Sequence, residues 1–256
     1  MKIFSNKQEF EEFFKRIGSE WIEEKVEYKL FDEYERTRVL IVAPHASRER
    51  VKVEIEGRKI SLRVCDVNSD KLAKIAAYNI GGAYLISYVS RIHADFARRP
   101  DDLGKGLRLN FPLEGRRYPI RIHTDESYRP LLERFHEMIE ELEPRFILSF
   151  HGAVIKNFDA LLGFGEERKF IGGRENAMMF KRLVMEKMKK YGIEAKIGVS
   201  KRFYLGRSEA ILTMHVGEGR NGCLVEFSNK ERMEFPSKRY QILATCIAEV
   251  ARGWKT

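Results

Sequence analysis

Continuous apolar runs alternate with stretches of helical periodicity along the chain. Runs such as residues 38–43 and 145–150 are typical of central strands that are buried on both faces. Further strands are predicted within residues 51–64, 83–89, 193–199, 210–216 and 223–227. Apolar positions three and four residues apart predict helices over about residues 6–17, 69–80, 131–142, 175–191 and 237–251. Strands that alternate with helices predict an α/β fold with a mixed or mostly parallel sheet covered on both faces.

The organisation of the chain favours one unit. No repeat, low-complexity tract or linker-like segment divides its 256 residues, so we expect a single domain spanning residues 1–256. Residues 97–127 are rich in Arg, Asp, Gly and Pro and lack clear periodicity. We interpret this segment as a long functional loop.

Composition narrows the class of protein. The net charge of +9 suggests a nucleic-acid-binding protein or nuclease, but Lys and Arg are interspersed with Glu and Asp, as on an ordinary solvated surface. A charged fraction of 33% with glutamine only at Gln8 and Gln241 indicates a thermophilic source. Three widely spaced cysteines do not form a disulfide or zinc-ribbon pattern. Without a signal-peptide pattern or a long apolar segment, we expect a cytoplasmic protein.

Two histidines directly follow predicted central strands. His45 ends the segment RVLIVAPH, and His151 follows the strand in RFILSFHG. Ligands of open α/β sheets bind beyond the carboxyl ends of the strands. Either histidine alone would most often be a hydrogen-bonded structural residue, but two in matching positions favour shared metal ligation.

A catalytic zinc site needs a third protein ligand and one open position. Glu49 lies four residues after His45, where one turn of backbone would bring the two side chains together. Asp66 and Asp95 remain alternatives for this ligand, since Glu49 also has the neighbours of a surface charge.

Metal-assisted hydrolysis also needs a proton acceptor. Glu226 interrupts the apolar strand CLVEFS, where a buried carboxylate is costly without a partner. An edge strand with Glu226 facing solvent is the alternative interpretation. His215 ends the apolar segment ILTMH before a glycine, which fits either a substrate or oxyanion contact or a structural role.

Arginines follow another predicted strand. Arginine binds carboxylates through rigid, forked donors. Arg91 and Arg98 are therefore candidates for contacts with a substrate carboxylate, whereas Arg99 is better explained as surface charge.

Taken in order, these segments resemble the N-formylglutamate amidohydrolase family, which is related to the zinc carboxypeptidases and the aspartoacylase group. PHAS at residues 44–47 looks like the family's Pro-His-Ser-Gly turn, and RIHADFAR at residues 91–98 looks like its Arg-x-x-x-Asp-Leu-Asn-Arg segment. HG at residues 151–152 matches a family His-Ser that follows an apolar strand.

The resemblance continues toward the carboxyl end of the chain. DALLGFGEE at residues 159–167 resembles the segment that comes next in the family. HVG at residues 215–217 and EFS at residues 226–228 look like its His-Tyr-Gly and Glu-Ile-Asn segments. The resemblance covers about residues 38–231, and the order of the segments carries it more than any single motif.

The resemblance implies a three-layer, phosphorylase/hydrolase-like sandwich. It also implies one zinc ion per chain, bound by two histidines and an acidic residue, with Glu226 as the general base on water. The expected reaction is hydrolysis of an amide bond in a small N-acyl amino acid or peptide-like substrate. Neither a membrane nor a nucleic acid is expected as a partner.

Two positions depart from the family pattern. Ala97 stands where the family has an asparagine that helps to hold the substrate carboxylate, and Gly152 stands where it has a serine. These departures leave the acyl group and the amino acid open. They also leave open a degenerate family member that keeps the fold as a binding module.

Overall fold

The computed structural model describes most of the chain. The described residues are 1–55, 57–103, 107–113, 116–122, 125–153, 155–200, 209–217, 219–228 and 235–255. The helices are α1 (Lys7–Ile17), α2 (Tyr34–Thr37), α3 (Ser69–Ile80), α4 (Arg129–Glu141), α5 (Arg174–Lys190), α6 (Ala210–His215) and α7 (Lys238–Gly253). The strands are β1 (Glu20–Ile22), β2 (Val26–Leu30), β3 (Val39–Ala43), β4 (Val51–Ile55), β5 (Arg58–Leu62), β6 (Ala83–Ser87), β7 (Leu107–Leu113), β8 (Arg116–Ile122), β9 (Phe146–Ala153), β10 (Ala160–Gly163), β11 (Ile197–Val199) and β12 (Asn221–Ser228).

Local sequence signals explain where several helices begin and end. The side chain of Asn6 accepts a hydrogen bond from the backbone N–H of Glu9, which caps the start of α1. Gly81 follows the last turn of α3 with a φ of 67°, a conformation that glycine adopts without the steric cost of a Cβ. The predicted helices at residues 6–17, 69–80, 131–142, 175–191 and 237–251 are therefore confirmed to within two residues at each end.

A mixed sheet forms the centre of the molecule. Its strand order is β1-β2-β6-β3-β9-β12-β10-β11, and the four central strands β6, β3, β9 and β12 are parallel to one another. β2 and β10 flank these four strands in the antiparallel direction. The sheet confirms the α/β fold class with a mixed, mostly parallel arrangement.

Helices cover both faces of the sheet. Alternate side chains of β3 point to opposite sides, so Val39 and Ile41 pack in one apolar cluster and Leu40 and Val42 in another. The first cluster includes residues of α1, α3, α5 and α7, and the second includes residues of α4 and α6. The protein is therefore a three-layer sandwich with a core on each side of the sheet.

The chain reverses its direction of winding between β3 and β9. From β3 it passes through α3 to β6 on one side, and it then returns through α4 to β9 on the other side of β3. α3 and α4 pack on opposite faces of the sheet. Such a switch point leaves a crevice beyond the carboxyl ends of the two strands, where open α/β sheets bind ligands.

Two predicted segments differ from the structure. Residues 97–127 are not an irregular loop, because Pro100–Asp102 forms a short 3-10 helix and β7 pairs with β8 in an antiparallel hairpin. Residues 210–216, predicted as a strand, are largely the helix α6. The apolar run AILTMH is too short for its periodicity to separate a buried helix from a buried strand.

None of the helices in the described ranges is long and apolar enough to cross a membrane.

The central strands should dominate the stability of the fold. Leu148 lies on β9 with no exposed surface, so Leu148→Ala removes buried methyl groups and leaves a cavity. We expect a loss of about 2–5 kcal/mol in the free energy of unfolding, measured by denaturant titration. Met178→Ala on α5, where the side chain is 48% exposed, is the control and should change it by less than about 0.5 kcal/mol. Equal effects in the two variants would contradict this description of the core.

Candidate metal centre

The two predicted histidines meet at the switch point of the sheet. His45 lies two residues after the end of β3, and His151 lies on the neighbouring strand β9. Both side chains are buried, and their ring centroids are 5.0 Å apart. The sequence-based expectation that matching strand-end positions bring these imidazoles together therefore agrees with the geometry.

Asp66 joins the two histidines. Its Oδ2 lies 2.9 Å from Nδ1 of His151 and 3.1 Å from Nδ1 of His45. One potential ligand atom from each of the three residues lies within 4.8 Å of the others, so the group could hold a metal ion. The chain reaches this point after the hairpin β4–β5, where the backbone N–H of Asp66 donates to the carbonyl of His45.

Glu49, the expected third ligand, lies elsewhere. Its side chain is 53% exposed, and its Oε1 is 3.5 Å from Nε2 of His93. The metal-capable group that the described residues form contains Asp66 in its place. Spacing of four residues brings side chains together on a helix, but residues 46–50 after His45 are not helical.

Each histidine also contacts a second acidic residue through Nε2, the ring nitrogen that does not face Asp66. Nε2 of His45 is 2.6 Å from Oδ1 of Asp95, and Nε2 of His151 is 3.2 Å from Oε2 of Glu209. Carboxylates in this position orient a ligating imidazole and strengthen it as a ligand. The hydroxyl of Ser149 lies 2.9 Å from the same nitrogen of His151.

The pKa shifts of the residues around Asp66 reflect the close contact of carboxylates and imidazoles. Burial raises the pKa of the Asp66 carboxyl, but hydrogen bonds from His151 and His45 outweigh burial and lower it well below its usual range. Burial likewise lowers the pKa of His151, but Glu209 and Asp66 reverse this and raise it well above its usual value. Both nitrogens of each imidazole face carboxylates, which favours a cation at the centre of the cluster in addition to Arg91 and Arg98, which already pair with Asp95. The donor set fits a divalent metal.

Glu226 lies beside this cluster because of the strand register. It pairs with His151 across the parallel strands β12 and β9. Val225 and Phe227 pack in the cluster on the α1 side of the sheet, so Glu226 points to the other face, as His151 does. The side chain is half-buried, and burial raises the pKa of its carboxyl while the charge of His151 lowers it. β12 is a central strand, which excludes an edge position for Glu226.

Arg91 and Arg98 both bind Asp95. Their Nε atoms lie 2.9 Å and 3.1 Å from Oδ2 of this carboxylate, while its other oxygen contacts His45. Asp95 is almost fully buried, which raises the pKa of its carboxyl, but Arg91, His45 and Arg98 outweigh burial and hold this pKa well below its usual range. Each arginine side chain keeps about a quarter of its surface exposed, 24% for Arg91 and 25% for Arg98.

His215 lies at the end of α6 and contacts a different set of residues. Its Nε2 is 2.8 Å from Nδ1 of His136, and its Nδ1 contacts the carboxylate of Glu140. Both ring nitrogens of His215 therefore contact residues of α4. The sequence predicted that His215 lies at the end of a strand, but it lies at the end of the helix α6.

Sequence reasoning missed the role of Glu209. This carboxylate is 4% exposed directly before α6, and one of its oxygens, Oε1, has no hydrogen-bond partner among the described residues. Its only sequence signal is an acidic residue directly before an apolar run, which is too common to single it out.

Solved structures of other proteins match the fold of this chain. One match is the crystal structure of an N-formylglutamate amidohydrolase from Ralstonia eutropha JMP134, with a TM-score of 0.58 over 90% of this chain and 96% of that chain at 13% identity. A gene product of Agrobacterium tumefaciens matches with a TM-score of 0.59, 12% identity, and 89% and 93% of the two chains covered. The chain has the N-formylglutamate amidohydrolase fold. This agrees with the resemblance of the sequence segments. No protein-family model and no curated protein sequence matches the chain.

Metal analysis can separate the two candidates for the third ligand. We expect Asp66→Ala, like His45→Ala and His151→Ala, to lower the divalent metal content of the purified protein, since a catalytic site of this kind has three protein ligands. Glu49→Ala is the matched control and should keep the metal, because its side chain lies outside the group. Elemental analysis of the four variants measures this directly. Normal metal in Asp66→Ala together with loss in Glu49→Ala would reverse the assignment.

Proposed function

We propose that the protein is a zinc-dependent amidohydrolase that cleaves the amide bond of a small N-acyl amino acid. The observation that supports it most directly is the register of β12 against β9, which sets Glu226 beside His151 of the metal-capable group. A proton-transferring carboxylate next to a metal site is the arrangement that metal-assisted hydrolysis requires.

His45, Asp66 and His151 are the proposed ligands of one metal ion per chain. Two imidazoles and a carboxylate form a nitrogen and oxygen donor set that suits zinc. Asp95 and Glu209 face Nε2 of the two imidazoles, so with a metal ion bound the proton of each ring would lie on Nε2 and Nδ1 would be the ligand atom. A bound zinc ion supplies a positive charge that polarises the amide carbonyl and makes water more acidic.

Glu226 is the proposed general base and acid. Its carboxylate makes no hydrogen bond or ion pair with other side chains in the described part of the chain, and we propose that one of its oxygens takes the proton from water. Burial raises its pKa, which brings it closer to neutral pH, where a carboxyl can both accept and return a proton. The same proton can then be delivered to the amine that leaves when the amide bond breaks.

Arg91 and Arg98 are the proposed contacts for the carboxylate of the substrate. Each uses Nε to hold Asp95, and its terminal nitrogens bond no other side chain among the described residues, so we propose them as the donors to the substrate carboxylate. Ala97, which stands in place of the family's asparagine, is fully buried and has no polar side-chain atom. We therefore propose that Arg91 and Arg98, rather than the residue at position 97, bind the substrate carboxylate.

The fold comparison supports the amide substrate class. The Ralstonia eutropha protein is named for cleavage of N-formylglutamate, and the two folds correspond over nearly their whole lengths. We propose the same type of bond here, with the acyl group and the amino acid to be identified by screening N-acyl amino acids against the metal-loaded protein.

Glu226→Gln tests the proton transfer. The amide keeps the shape of the side chain but cannot accept a proton, so we expect turnover to fall by about 10²- to 10⁴-fold. Steady-state kinetics with the best N-acyl amino acid measures the loss, and elemental analysis should show unchanged metal. Turnover close to wild type in a fully loaded Glu226→Gln variant would falsify the role of this carboxylate.

Arg98→Ala tests the recognition of the substrate. We expect it to raise KM for carboxylate-bearing substrates by about 10-fold or more, because a charge-assisted hydrogen bond is lost in the bound state. Arg99→Ala is the matched control, since Arg99 is the exposed neighbouring arginine and should leave KM unchanged. If both variants show the wild-type KM, Arg91 becomes the remaining candidate from this segment.

A further inference from the structure

A series of hydrogen bonds runs from Glu140 on the surface of α4, through two buried imidazoles, to the backbone carbonyl of Arg98. Glu140 contacts Nδ1 of His215, whose Nε2 is 2.8 Å from Nδ1 of His136. Nε2 of His136 is in turn 2.9 Å from the carbonyl oxygen of Arg98. Both imidazoles are only 4% exposed, and their rings are stacked with centroids 5.1 Å apart.

The donor in each of these hydrogen bonds can be assigned from the last one, in which the carbonyl oxygen of Arg98 is the acceptor. A carbonyl oxygen only accepts, so His136 must donate through Nε2 to Arg98. Burial and the neighbouring His215 lower the pKa of His136 to about 4, which keeps it neutral and leaves Nδ1 as an acceptor. His215 therefore donates through Nε2, and its Nδ1 contacts the Glu140 carboxylate. Arg220 contacts the other oxygen of Glu140 and completes the chain.

The hydrogen-bond series ends at the segment that contains Arg98, and this segment also contacts the candidate metal site. Arg98 holds Asp95 through its side chain, and Asp95 holds His45. Adjacent Ala97 is fixed from a second direction, since its carbonyl accepts from the N–H of Ala210 at the start of α6. The other end of α6 carries His215, so the short helix braces residues 97–98 at both of its ends.

We propose that His136 and His215 are positioning residues that fix the carbonyl of Arg98 and so hold its guanidinium group in place for a substrate carboxylate. This inference rests on the proposed function for the identity of the substrate. The contacts themselves are independent of it, so they can be tested without turnover.

Paired substitutions of His136 separate the hydrogen bond from the bulk of the side chain. In His136→Gln the terminal amide can still donate to the carbonyl of Arg98, whereas in His136→Met a side chain of similar length cannot. Native-state hydrogen exchange of the metal-loaded variants reports the local effect, because the amides of Ala97 and Arg98 are bonded to Asp95. We expect exchange of these two amides to be about 10-fold faster in His136→Met, since one hydrogen bond is lost. In His136→Gln it should stay near the wild-type rate.

Kinetics of the same variants tests the link to the substrate. We expect His136→Met to raise KM for N-acyl amino acids by about 10-fold with a smaller change in kcat, and His136→Gln to restore KM. The metal content should be unchanged in both variants. A wild-type protein that hydrolyses no N-acyl amino acid would defeat the proposed function alone, and the exchange result would still decide whether the histidines hold this segment.

Clear outcomes overturn the proposal. The proposal fails if the amides of Ala97 and Arg98 exchange at the wild-type rate in His136→Met. It also fails if these amides exchange equally fast in His136→Gln and His136→Met while the amides of β9 remain protected. If His136→Met does not fold, His215→Met and His215→Gln are measured in its place. The proposal then requires faster exchange at Ala97 and Arg98 in His215→Met than in His215→Gln, and equal rates overturn it.

Discussion

Contact of the Asp66 carboxylate with two imidazole rings is the interaction on which the arrangement of the candidate site depends. A buried carboxylate is stable only when positive charge or hydrogen-bond donors surround it, and here both histidines face it through Nδ1. Their Nε2 atoms face Asp95 and Glu209, and of these two carboxylates Asp95 is also paired with Arg91 and Arg98. The fold brings these charged groups together at the switch point of its sheet, where the proposed metal ion would lie.

Much of the fold could be predicted from the sequence because its central elements carry strong patterns. β3 is an unbroken apolar run and β9 is mostly apolar up to Phe150, and α3 and α5 show clear periodicity with glycine after their last turns. Short elements escaped prediction. β10 has four residues and α6 has six, so neither contains enough of a period to show whether a strand or a helix is formed.

The candidate site was predictable where the strands alone determine it. His45, His151 and Glu226 were found from their positions in or after apolar strands, which the sheet then aligns. Asp66 could not be singled out, because it reaches His45 only after the excursion of the chain through β4 and β5. Glu209 and His136 are likewise brought in by tertiary packing of α6 and α4, which leaves no local spacing to recognise.

The register between β12 and β9 also limits how this protein can tolerate changes in chain length. Side chains on a strand alternate between faces, so one inserted residue within residues 221–225 would turn Glu226 toward the core that α7 covers. The apolar neighbours Val225 and Phe227 would move to the side of the metal-capable group at the same time. Length variation among natural or engineered relatives should therefore be confined to the connections before and after β12, while the strand itself keeps a constant count.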